Sequence, residues 1–94
     1  MSERLLGDFT WDVRKEAENI HKHGVTFETA AQVFEDPHRK IFHDEQHSRI
    51  EERLFCIGRV HQRILTVRFT YRDGYIRIFG AGYWRKGRRY YDQT

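Results

Sequence analysis

From Arg63 to Phe79 the chain reads "RILTVRFTYRDGYIRIF", with apolar residues recurring at every second position on both sides of Asp73-Gly74. A period of two interrupted by Asp-Gly predicts two antiparallel strands and a tight turn, which excludes an all-helical fold. In the first strand Leu65, Val67, Phe69 and Tyr71 share one face, and Ile64, Thr66, Arg68 and Thr70 the other. In the second, Ile76 and Ile78 form the apolar set, leaving Tyr75, Arg77 and Phe79 together opposite, on the side of Arg68. A lone hairpin is marginal in water, so it needs neighbours. Two upstream runs supply them, "RKIFHD" and "RIEERLFCIGRV", joined by the polar loop "DEQHS" and followed by a tight turn at His61-Gln62. The result is a four-strand antiparallel meander with one face to be covered. In "RIEERLFCIGRV" both parities are partly apolar, and pattern alone assigns neither to the core.

The cover comes from the N-terminal third, where the period lengthens. After a short strand candidate at Phe9 to Trp11, Asp12 is a good N-cap, Val13, Ala17 and Ile20 form one apolar stripe, and Gly24 is a helix stop. Thr26 caps a second helix whose stripe is Phe27, Ala30, Ala31 and Phe34, ended by Asp36-Pro37. The C-terminal "YWRKGRRYYDQ" is expected to form a short last helix in spite of Gly87. The expected fold class is therefore α+β: an N-terminal helical hairpin packed on a mostly antiparallel sheet, with a short C-terminal helix. Ninety-four residues with a lone Pro37 suit a single domain over residues 1–94. A chain that is 15% aromatic and 38% hydrophobic has enough to bury, which excludes a disordered segment. Cys56 has no disulfide partner and reads as a small buried hydrophobe, no apolar run is long enough to span a bilayer, and "MSERLLGD" lacks a secretory apolar core. A cytoplasmic location without membrane attachment is the expectation.

Seventeen Lys and Arg against 14 Asp and Glu is a small excess that matters because of where it sits. Arg85, Lys86, Arg88 and Arg89 interleave with Tyr83, Trp84, Tyr90 and Tyr91, a composition suited to a polyanion carrying stackable bases. If the meander's second face is open, Arg68 and Arg77 extend that surface. A protein that not only bound such a polyanion but, were it RNA, also cut it without a metal would need a base for the 2′-OH, cations for the attacked phosphate and an acid for the leaving oxygen. Glu51 or Glu52 could be the base, and His47 or His43 a base or acid. Arg53, Arg68, Arg77 and Arg85 could clamp phosphate, and Tyr75, Phe79 or Trp84 could stack a splayed base. Plainer readings compete: Glu51 and Arg53 as a solvated edge pair, His47 as a surface histidine, and the tail as packing on the sheet or as the seat of a protein partner. His21 and His23 lie two apart and diverge on a helix, and no Cys pair exists, so neither a metal nor another cofactor is expected.

Three ordered stretches carry a family resemblance: "FTWDVRKEAENIHKHGVTFETAAQVFEDP", "DEQHSRIEERLFCIGR" and "YIRIFGAGYWRKGRRYYDQ". Asn19, His23, Gly24, Phe27, Ala30, Phe34, Asp36 and Pro37 in the first, and His47, Ser48, Glu51, Arg53, Ile57 and Gly58 in the second, stand at the spacing of the BrnT toxins. Nearly the whole chain resembles that family. The resemblance implies a RelE-like fold and a ribonuclease toxin of a type II toxin-antitoxin system. It also implies neutralisation by a BrnA-like antitoxin, through whose complex alone DNA would be met. On that basis the expected catalytic set is Glu51, Arg53, Arg77 and His47. The expected RNA-binding set is Arg68, Tyr75, Phe79, Trp84, Arg85 and Lys86. The chain departs from the pattern at one place: Gly80-Ala81-Gly82 stands where many members have Ser-Ala-Arg, and the next arginine is Arg85. The alternative function is therefore a catalytically silent RNA- or antitoxin-binding module.

Overall fold

A computed structural model describes residues 2–93. Six strands form one mixed sheet in the order β1-β2-β6-β5-β4-β3, comprising β1 (Glu3–Leu6), β2 (Phe9–Asp12), β3 (Lys40–His43), β4 (Leu54–Val60), β5 (Arg63–Arg72) and β6 (Tyr75–Gly82). All neighbours pair antiparallel except β2 and β6, which run parallel, with Trp11 opposite Ile78. The β5–β6 turn has positive φ at both Asp73 (54°) and Gly74 (82°), the mirror-image geometry that suits the right-handed twist of a hairpin.

Within the sheet, two strand assignments depart from the sequence expectation. β1 was not foreseen: "ERLL" is exposed on both sides and shows no alternation, and it is held by backbone pairing to β2. β4 begins at Leu54, so Glu51, Glu52 and Arg53 belong to the preceding loop. That loop is tied down by the Ser48 hydroxyl, which donates to Asp44 O (2.7 Å) and accepts from Arg53 N–H (2.9 Å).

The helices are α1 (Val13–His23), α2 (Phe27–Ala31), which runs on as a 3-10 turn over Gln32–Glu35, and α3 (Arg85–Asp92). Asp12 caps α1 by accepting from Arg14 N–H at 2.8 Å, and Gly24 closes it at φ 69° with its N–H on Ile20 O. The stripe Val13, Ala17 and Ile20 nevertheless faces solvent, with Val13 41% and Ile20 43% exposed. The inward side of α1 is polar. Glu16 accepts from the Trp11 indole N–H (3.1 Å) and from Phe27 N–H (2.8 Å). Buried Asn19 donates to Val25 O and Ala81 O and accepts from Ala81 N–H, all within 3.0 Å. Its amide thus takes the place of a neighbouring strand where β6 runs past the end of β2, so α1 is held by hydrogen bonds to backbone rather than by its apolar stripe.

The dry core lies between α2, its 3-10 turn and one face of the sheet: Trp11, Phe27, Ala30, Val33, Leu65, Val67, Phe69, Ile78 and Ala81 are buried there. The tighter turn after Ala31 rotates Val33 fully inward and leaves Phe34 half-buried at the rim, 5.0 Å from the Phe69 ring. Burial pushes the Cys56 thiol up to about 12, so it stays a neutral core side chain.

The other face of the sheet carries α3. Gly87 sits directly on Thr66, where a Cβ would collide with the threonine side chain, so the residue that weakens the helix also permits its close approach. Asp36 anchors the far end by accepting from Arg59 N–H, His38 N–H and the Tyr91 hydroxyl at 2.7 to 2.8 Å. Burial raises the Asp36 pKa, but these three donors outweigh it and hold the carboxyl below its ordinary value.

Candidate functional site

The uncovered part of that second face is built in rows. Across β4, β5 and β6 the register aligns Ile57 with Thr66 and Gly82, then Phe55 with Arg68 and Gly80; further along β5 and β6 come Thr70 with Arg77 and Arg72 with Tyr75. A bulge at Phe79, where Arg68 faces Gly80 and Phe69 faces Ile78, keeps both Ile78 and Ala81 in the core. Arg68 and Arg77 therefore share a face, as alternation predicted, although one row separates them. Gly80 leaves a bare strip over which the Arg68 side chain lies, its Cδ 3.9 Å from where a Cβ would stand.

Between these rows, α3 and the loop after β3 lies an open cleft of about 800 Å³. Its walls include Phe42, Phe55 and Tyr90, with Trp84, and its polar edge includes His47, Arg68 and Lys86 together with the carboxylates Asp44 and Glu45. Phe42 and Tyr90 hold each other at 5.0 Å between ring centroids. The Thr66 hydroxyl on the floor is buried with no hydrogen-bond partner among the described residues. His47 Nδ1 lies 2.9 Å from Oδ2 and 3.1 Å from Oδ1 of Asp44, a buried carboxylate. A carboxylate can only accept, so Nδ1 is the nitrogen that carries a proton, and in the neutral ring Nε2 is then the acceptor. His43, the alternative histidine, sits on the same rim paired with Glu52 at 3.3 Å.

The remaining sequence-derived candidates lie outside the cleft. Glu51 Oε1 is engaged by Arg72 (2.7 Å) and Arg53 (3.5 Å), and the Arg53 guanidinium lies 3.9 Å over the Phe79 ring. Arg77 forks onto the Glu3 carboxylate, its Nη2 donating to Oε2 at 2.8 Å. The hydrogen bond to Glu3 raises the Arg77 pKa, and the same contact lowers that of Glu3. Tyr75 lies exposed in the next row, opposite Arg72. Arg85 is on the far side of α3, facing Arg59, Arg63 and Arg88, while Lys86 and Tyr90 face the cleft. The expectation that Arg85 would join Arg68 and Arg77 is thus corrected by helix phase. Residues 85 and 88 lie on one side of the helix, and 86 and 90 on another.

Sequence reasoning missed Asp44, Thr66 and the Phe42–Tyr90 pair. The spacing of Asp44 and His47, three apart in one tight turn, was an available signal. Position 82, where the expected arginine is absent, has its side-chain space filled: a Cβ on Gly82 would come within 2.8 Å of the Trp84 indole. Among the described residues no three His, Cys, Asp or Glu side chains converge as a metal centre would require, and no helix is long and apolar enough to cross a membrane.

A family model described as "Ribonuclease toxin, BrnT, of type II toxin-antitoxin system" matches residues 11–87, from the core tryptophan of β2 to the glycine seated on Thr66. No curated protein matches the chain.

Proposed function

The chain belongs to the BrnT family of type II toxin-antitoxin ribonuclease toxins, and from that premise we propose that it is an endoribonuclease that cuts single-stranded RNA in the cleft beneath α3. The observation that carries this reading is that His47, Arg68 and Lys86 all line one aromatic-walled cleft. His47 Nε2, oriented by Asp44 through Nδ1, takes the 2′-OH proton and returns it to the leaving 5′-oxygen. Arg68 and Lys86 stabilise the charge that builds on the attacked phosphate. Trp84, with the Phe42–Tyr90 pair, holds the splayed base. These side chains supply base, cation and acid, so the step is written without a metal. Arg53 and Arg77, one row along, add positive charge when phosphate displaces their carboxylates, and Phe79 and Tyr75 extend the stacking surface. Among the candidate bases we favour His47 over Glu51, whose carboxylate oxygen is already shared between two guanidiniums.

The same reading extends to a RelE-like arrangement, a cytoplasmic site of action and a BrnA-like antitoxin that covers the charged face and alone links the toxin to DNA. Expressed without that partner, the chain should arrest bacterial growth. The filled space at Gly82 favours a second reading, in which the chain binds RNA or antitoxin without cutting. Incubating purified protein with single-stranded RNA in EDTA separates the two. Cleavage by wild type that falls roughly a hundredfold or more in His47→Ala, with melting unchanged, supports the enzyme. RNA bound but uncut supports the silent module.

A further inference from the structure

Beyond the cleft, on the other side of α3, a second groove of about 300 Å³ runs between the helix and the β4–β5 hairpin. Arg85 and Arg88 face it from the helix, Arg59 and Arg63 from the hairpin. One carboxylate borders it, Asp92, which lies 4.0 Å from Arg88 with both side chains largely exposed. Among the described residues Arg59, Arg63 and Arg85 have no carboxylate partner. Elsewhere four arginines are matched, Arg4 by Glu28, Arg53 and Arg72 by Glu51, and Arg77 by Glu3, while others among the described residues, such as Arg68 in the cleft, are also without a carboxylate. Two of the unmatched groups rest on rings, with Arg63 3.5 Å over Tyr83 and Arg59 5.7 Å over Tyr91. A ring face steadies a planar fork without consuming its donors, which stay available to a phosphate. Four guanidiniums around one concavity repel each other unless an anion lies among them. Trp84 borders both this groove and the cleft.

We propose that the groove is a second phosphate-binding site, holding the backbone of the same RNA strand on one side of the scissile nucleotide, with Trp84 as the joint between the two. This rests on the ribonuclease reading and adds a strand path to it: a substrate that spans both sites should be preferred over one that fills the cleft alone.

The test is a fluorescence-anisotropy titration of the full chain over a range of salt. The probes are a single-stranded 2′-O-methyl RNA of about eight nucleotides, which cannot be cut, and a dinucleotide of the same chemistry. The doubly substituted Arg63→Ala, Arg88→Ala protein should bind the longer RNA several-fold to about tenfold more weakly, with a salt slope shallower by about 0.7 unit for each phosphate it no longer neutralises, and should bind the dinucleotide as wild type does. Arg63→Lys, Arg88→Lys keeps the charge and should restore most of the slope. Unchanged affinity and slope for the longer RNA overturn the proposal, as does an equal loss for both probes. So does a loss confined to a deca-glutamate peptide, which would assign the groove to an acidic protein segment. Failure of the ribonuclease reading shows separately, as an all-ribose RNA left uncut by wild type on a gel while the titration still reports the groove.

Discussion

The two faces of the sheet are built from alternate residues of the same strands and are finished in opposite ways. Leu65, Val67 and Phe69 meet Phe27, Ala30 and Val33 in a closed apolar layer, whereas on the opposite parity Thr66 lies beneath Gly87, Thr70 is buried with its hydroxyl donating to Glu52 O, and Arg68 borders the open cleft. The difference teaches where stability and function are kept in a chain this small. One face supplies most of the burial that holds the fold. The other is left with charge that has no carboxylate partner among the described residues at Arg68 and Lys86, which is retained where an anionic ligand can satisfy it.

If that division holds, substitutions on the two faces should separate cleanly. The largest effect on stability should come from Phe27→Ala, which opens a cavity beneath Trp11, 6.0 Å away edge to face, and should cost roughly 3–5 kcal/mol by denaturant unfolding. Asn19→Ala should cost less, about 1–3 kcal/mol, because it strands buried backbone groups at Val25 and Ala81 rather than removing apolar volume. Urea midpoints would read it, and a midpoint equal to wild type would mean that α1 is held by something other than these bonds.

The tie from Asp36 to β4 and α3 has a pH signature. Its carboxyl pKa is depressed in the fold, so its contribution is present above the unfolded value near pH 4 and is lost as pH falls through the folded value. Asp36→Asn should melt below wild type at neutral pH, with the gap closing on acidification below about pH 4. A gap independent of pH would remove the carboxylate from the explanation. The smallest effect should be at the outward stripe of α1, where Ile20→Ser should change stability by no more than about 0.5 kcal/mol.

The alternation of β5 and β6 was legible in the sequence because Leu65, Val67 and Phe69, and then Ile76 and Ile78, recur at every second position on either side of an Asp-Gly turn that sets their register. The caps at Asp12, Gly24 and Thr26 were legible for the same local reason. What could not be read depends on distant partners. β1 has no pattern of its own, and the parallel β2–β6 pairing joins residues more than sixty positions apart. On α1 the apolar stripe pointed the wrong way, because Glu16 and Asn19 use the inward face to bond backbone at Phe27 and Ala81. The candidate site was legible in kind but not in grouping. Arg68, Lys86, Trp84 and His47 line one cavity, whereas Glu51, Arg53 and Arg77 are engaged in ion pairs beside it, one of them with Glu3 of the unforeseen strand. The separation of Arg85 from Lys86 follows from the helical period alone once α3 is accepted.

The most direct test is a paired measurement on Arg68→Ala, a substitution on the open face midway along a strand whose other face is core. The rate of RNA cleavage should fall by about a hundredfold or more while the melting temperature stays within a degree or two of wild type. A wild-type cleavage rate, or a loss of rate matched by a comparable loss of stability, would contradict the division of labour between the two faces.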